Sequence, residues 1–160
     1  MKSYPSPSFY ESYVMFFKYA FNYSARSRRA EFCKPLFINF CIFLLLTFGL
    51  LSTADTMQNV FADLILLLLC ITFIPTFALF IRRGHDLGSS GWKTVLGIFL
   101  VNLWPPVVLY DIYPYLTVAI VLIIHFLCLA IFSLVLAIRD SRKEENEWGE
   151  SAKYYDDSDE

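Results

Sequence analysis

Closely spaced ligand pairs are what this sequence has least of. Its four cysteines, Cys33, Cys41, Cys70 and Cys128, include no Cys-x-x-Cys spacing, and His85 and His125 are the only histidines among 160 residues. Zinc and other thiolate or imidazole sites are built from ligands close together in the chain. No metal site is therefore expected, and the cysteines read as small buried hydrophobes rather than as a disulfide framework. Nucleotide-binding loops and serine nucleophile motifs are absent, and with them the main grounds for expecting a cofactor. No internal repeat builds a transporter from two halves. The first 29 residues lack a short apolar core followed by small residues, so no cleaved signal peptide is expected.

Positive charge is missing from most of the chain's length. All 13 Lys and Arg fall in three places. Six stand in residues 1–34 (Lys2, Lys18, Arg26, Arg28, Arg29, Lys34), three in 82–93 (Arg82, Arg83, Lys93) and four after residue 138 (Arg139, Arg142, Lys143, Lys153). Between them lie apolar stretches at about 35–53, 58–81, 92–110 and 115–138, each close to the roughly 20 helical residues that cross a bilayer. With 57% hydrophobic and 18% aromatic residues, the composition exceeds what a water-exposed surface carries. The connections near 52–57 and 111–114 hold no basic residue. The positive-inside rule then puts the N-terminus, the middle connection and the C-terminus in the cytoplasm. The expected fold is all-α: an integral membrane four-helix bundle preceded by an amphipathic interfacial helix.

That first helix is read from the aromatic stripe Phe9, Tyr13, Phe16, Phe17 and Ala20, set against Glu11, Met15, Lys18 and Asn22. It lies in the cytoplasmic interface or packs on the ends of the spans. Pro75 is expected to kink the second span, and Pro105-Pro106 to break or kink the third near its outer end. Trp104, Tyr110, Tyr113 and Tyr115 mark an outer aromatic belt. Beyond residue 138 the acidic tail, with 9 Asp/Glu against 4 Lys/Arg, is expected to be disordered after one or two turns.

Chemistry concentrates in two charged segments. Residues 25–32 read Ala-Arg-Ser-Arg-Arg-Ala-Glu-Phe, and 82–92 read Arg-Arg-Gly-His-Asp-Leu-Gly-Ser-Ser-Gly-Trp. The candidates for a cytoplasmic cap or anion site are Arg26, Arg28, Arg29, Glu31, Arg82, Arg83, His85, Asp86 and Trp92. Guanidinium–carboxylate forks suit a cap in which Glu31 and Asp86 pair with arginines of the opposite segment. Phosphate of a lipid head group or nucleotide is the alternative partner, and acid–base use of His85 and Asp86 a third reading. Gly84, Gly88 and Gly91 are expected to permit positive backbone angles in a tight connection. Within the spans, Asp63, Asn102 and His125 are the polar candidates, since ionisable groups in hydrocarbon face the bundle or water. Asn39 and Asn102 read most simply as interhelical hydrogen-bonding residues.

These segments resemble those of the bacterial membrane proteins grouped as the domain of unknown function 805 family. The likeness rests on Arg26, Arg29, Glu31 and Phe32, then on Arg82, Arg83, His85, Asp86, Ser90, Gly91 and Trp92, with Pro75 upstream and Asn146-Glu147-Trp148-Gly149 near the end. It spans about 9–151. Ala25, Cys33 and Gly84 depart from the family's usual glycine, tryptophan and leucine, and no proline follows Gly149. The resemblance implies a bacterial inner-membrane location and a shared role for the two segments, and it implies no substrate.

The sequence thus points to a non-enzymatic accessory or scaffold protein whose cap contacts anionic lipid head groups or a partner, in a homo-oligomer or larger membrane complex. A small oligomeric transporter or channel is the alternative, and a membrane-interface enzyme the second. No nucleic-acid partner is expected.

Overall fold

The computed structural model describes residues 2–53, 55–102, 131 and 133–155. Four helices lie within them: α1 (Phe9–Lys18), α2 (Arg29–Ser52), α3 (Asp55–Asp86) and α4 (Gly91–Asn102). Residues 133–138 are helical as well. Two short strands, β1 (Lys2–Ser3) and β2 (Tyr154–Tyr155), pair antiparallel with Lys2 opposite Tyr155. The remainder of the expected third and fourth spans, including Trp104, Pro105, Pro106, Tyr110, Tyr113, Tyr115 and His125, falls outside the described residues.

Local chemistry explains where the helices begin and end. Ser8 caps α1 reciprocally: its hydroxyl accepts from the Glu11 N–H at 3.1 Å, and the Glu11 carboxylate accepts from the Ser8 N–H at 2.6 Å. At the same end of the described bundle, α3 stops in a Schellman turn. The Ser89 N–H donates to the Gly84 carbonyl at 2.8 Å and the Gly88 N–H to the His85 carbonyl at 2.9 Å. Gly88 supplies the left-handed residue with φ +72°. Of the three glycines expected to take positive angles, only Gly88 does. Gly84 and Gly91 serve close packing instead, since a Cβ on Gly84 would stand 2.1 Å from the Thr94 hydroxyl and one on Gly91 2.9 Å from the His85 ring.

Both long helices extend past the apolar stretches. Residues 29–34 form the first turns of α2, and 82–86 the last turn of α3, so the middle connection shrinks to 87–90. The connection expected at 82–93 is mostly helical, with 82–86 in α3 and 91–93 in α4, because the turn is confined to the residues around Gly88. Buried Pro75 lies within α3 without ending it.

α2 and α3 run antiparallel. Phe32 at the start of α2 meets Phe80 near the end of α3, ring centroids 5.1 Å apart, and a Cβ on Gly49 would strike the Phe61 ring at 2.4 Å near the opposite end. The buried core sits at the Phe32 end, where Phe16 of α1, Phe32, Leu79, Phe80 and Leu136 pack together. Elsewhere the apolar surface is open: Leu45, Phe48 and Leu51 are 69%, 70% and 78% exposed. The best 18-residue windows of Arg29–Ser52 and Met57–Asp86 have mean hydropathies of 2.1 and 2.8, and only 6% and 33% of them is buried. A helix of about 36 Å, the length of 24 residues, that is apolar yet uncovered matches lipid rather than a protein core. These two candidate membrane-spanning helices indicate a membrane protein.

The last described segment is not the disordered tail expected from its composition. Residues 139–155 turn back, Tyr4 donates its N–H to the Lys153 carbonyl at 2.9 Å, and the Tyr4 and Tyr155 rings lie 4.6 Å apart.

Candidate functional site

The end of α3 delivers the charged residues into a dry cluster. One helical turn separates Arg83 from Asp86, and Arg83 Nη1 donates to Asp86 Oδ2 at 2.5 Å with both side chains fully buried. Asp86 Oδ1 accepts from Arg26 Nε at 3.4 Å, so a single carboxylate holds guanidiniums from two segments 60 residues apart. The connection is reinforced by main chain, the Ser27 N–H donating to the Arg82 carbonyl at 3.2 Å.

Backbone carbonyls take the remaining arginine donors. Arg83 Nε and Nη2 donate to the Leu136 carbonyl at 3.1 and 3.0 Å, Nη2 also bonds the Arg139 carbonyl, and Nη1 reaches the Ser27 carbonyl at 3.4 Å. The last carbonyls of a helix have no partner within it, and a guanidinium there meets the negative end of the helix dipole as well. Arg26 treats the following loop likewise, with Nη2 bonded to the Arg142 carbonyl at 2.8 Å and Nη1 to those of Glu144 and Gly149, both at 3.0 Å.

Glu31 does not reach across. Its carboxylate accepts from Arg28 Nε at 3.0 Å and from the Ser27 hydroxyl at 3.3 Å, within its own segment. Arg28 also bonds the Tyr4 carbonyl at 3.1 Å, tying in the N-terminus. Arg82 leaves the cluster on its other side: its Nη1 donates to the Tyr19 carbonyl at 2.9 Å. Arg29 is exposed, and Trp92 lies in the first turn of α4.

His85 is 6% exposed, its ring stacked on Trp148. Its carbonyl accepts from Asn146 Nδ2 at 3.1 Å, while Asn146 Oδ1 accepts from the Trp148 N–H at 3.0 Å. Main-chain bonds between Asn146 and Gly149, at 2.8 and 3.2 Å, close this into a tight turn with Gly149 at φ +103°. The Asn-Glu-Trp-Gly turn is therefore a plug that docks on the end of α3.

Burial governs ionisation in this cluster, which lies beyond the apolar stretches of α2 and α3. It raises the Asp86 carboxyl above its ordinary value, against the opposing pull of Ser141, Arg83 and Arg26. It raises Glu31 in the same way against Arg28. It lowers His85, against the Ala25 carbonyl and Glu147, which favours the neutral imidazole.

The family described as protein of unknown function (DUF805) matches residues 20–150. The chain belongs to the DUF805 family. The matched stretch includes Arg26, Arg83, Asp86 and the Asn146–Trp148 plug. Neither a curated protein nor a solved structure matches the chain.

Of the intramembrane candidates, Asp63 is exposed on α3, Asn102 is the last residue of α4, and His125 is outside the described residues. Asn39 accepts from the Tyr13 hydroxyl of α1 at 3.0 Å. Among the described residues no group of three His, Cys, Asp or Glu could hold a metal. Asn146 and Trp148 are the site residues that charge-based reading missed. Their signal was present as the Asn-x-aromatic-Gly signature of the family.

Proposed function

We propose that this DUF805 chain is a four-pass membrane protein with both termini cytoplasmic, whose sealed arginine–aspartate cap serves as a rigid, non-enzymatic platform for lipid head groups or a partner subunit. The observation that carries this reading is the reach of Arg83, at the end of α3, to the carbonyls of Leu136 and Arg139. α2 begins, α3 ends and α4 begins at this same end. α4 leaves the cap at Gly91 and the helical residues 133–138 are back at it, as two further crossings of about 20 residues each would require. The three basic segments then share one side, in agreement with the positive-inside rule.

The engagement of Asp86 supports a structural over a catalytic role. A general acid or base needs hydrogen-bond access to substrate, whereas Asp86 is fully buried between Arg26 and Arg83. Reporter fusions test the topology. Fusions after residues near 55 and 112 are expected to report the outside, and those near 88 and 150 the cytoplasm; a cytoplasmic report at 55 or 112 defeats the four-pass arrangement.

A further inference from the structure

Charge in the cluster does not balance. Among the described residues, the fully buried members that carry charge are three cations, Arg26, Arg82 and Arg83, and one carboxylate, Asp86; the partly buried Glu31 is paired with Arg28, and its charge also acts on Arg82. Arg26 and Arg83 share Asp86 and direct their other donors at carbonyls. Arg82 forms no ion pair among the described residues. It is 4% exposed, its Nη1 is bonded to Tyr19, and its Nε has no partner. An unsatisfied donor on a buried cation is costly enough to require a reason.

Arg82 lines a cavity of about 370 Å³ between α1, the 22–27 loop and α3, together with Arg26, Ser27, Asn22 and Met15. A water's share of liquid volume is about 30 Å³, so the space admits a ligand of many atoms. Glu31 also lines it and its charge partly offsets that of Arg82, but its hydrogen bonds go to Arg28 and Ser27 and leave the Arg82 Nε donor unfilled. Arg82 directly follows Ile81, the last residue of the apolar stretch, which sets the guanidinium at the depth where a span meets head groups.

We propose that this cavity binds a phosphate group on the free Nε edge of Arg82, supplied by an anionic phospholipid head group or by a soluble phosphate compound. A guanidinium offers phosphate two parallel N–H donors along one edge. With Nη1 held by Tyr19, the edge containing Nε is the one left. The proposal gives the cap of the preceding section its ligand chemistry and rests on that reading only for the lipid as source.

Affinity measurements on the purified full chain in a neutral detergent test it, with phosphatidylglycerol, diacylglycerol of the same chains, and inorganic phosphate as probes. Phosphatidylglycerol or inorganic phosphate is expected to bind and diacylglycerol not to. Arg82→Gln is expected to weaken binding on the order of tenfold or more, and Arg82→Lys to restore it only in part, because an ammonium lacks the planar fork. Met15→Trp, which fills the cavity and removes no hydrogen bond of the cluster, is expected to weaken it equally. Lys93→Gln, on an exposed side chain, is the control expected to bind as before. Binding of phosphatidylglycerol alone assigns the head group, and competition by inorganic phosphate assigns the soluble source. Retained binding in Met15→Trp, equal loss in Lys93→Gln, equal binding of diacylglycerol, or no binding of any probe overturns the proposal. If Arg82→Gln does not fold, Met15→Trp decides. Topology is read separately from the fusions, so the two readings fail independently.

Discussion

The His85 imidazole lies flat on the Trp148 indole, with ring centroids 4.4 Å apart and planes only 7° from parallel. Sixty-three residues of chain separate the two, and the contact closes the plug over the buried Arg83–Asp86 pair. Stacked aromatic pairs are worth about 0.5–1.5 kcal/mol beyond the area they bury. Trp148→Ala is therefore expected to lower thermal stability in detergent and to speed amide exchange selectively in 141–155. Trp148→Phe should recover most of the loss. Unchanged exchange in Trp148→Ala would show that the turn docks without its aromatic anchor.

Removing one member of a buried ion pair leaves the other uncompensated, at about 3–5 kcal/mol. Asp86→Asn strands two guanidiniums and is expected to reach that range in chemical unfolding. Because Arg26 and Asp86 touch, Arg26→Gln and Asp86→Asn together should cost less than the sum of the separate losses. Strict additivity would mean that the 3.4 Å contact carries no coupling.

Gly88 at φ +72° faces the Arg142 guanidinium, whose Cζ would stand 2.5 Å from a Cβ there. Gly88→Ala combines left-handed strain of about 1–2 kcal/mol with displacement of Arg142. Its melting temperature should fall by several degrees. Glu150→Ala, a surface change in the same region, should alter it little.

The Lys153 ammonium holds the Asp140 carboxyl down at about 2 by a 2.6 Å hydrogen bond. A carboxylate whose folded value lies below its unfolded one stabilises the fold above the unfolded value, and this contribution disappears as pH falls through about 2. Both partners are substantially exposed, so the effect is expected at under about 1 kcal/mol. The stability difference between wild type and Asp140→Asn should be constant from pH 5 to 7 and vanish below about pH 2. A difference that persists in acid would assign the contribution to the Tyr154 hydroxyl rather than to charge.

The amino-acid sequence by itself determined what repeats locally. Apolar runs long enough to cross a bilayer made α2 and α3 readable, and the aromatic stripe marked α1 and placed Phe16 on its inner face. Resemblance in the two arginine segments and the Asn-x-aromatic-Gly turn was enough to identify the family. Pairing within the cluster was legible only in kind. That Asp86 bonds Arg26 while Glu31 stays with Arg28, and that Arg82 remains unpaired beside a cavity, depends on how α3 packs against the 25–28 segment, which no spacing encodes. The tail misled for the same reason. Its composition favours solvent, yet Arg26 and Arg83 offer it buried donors for the Arg139, Arg142, Glu144 and Gly149 carbonyls. Main-chain carbonyls are present in every residue and carry no sequence signature, so only the tertiary structure could decide that a polar segment would be held by hydrogen bonds to its backbone.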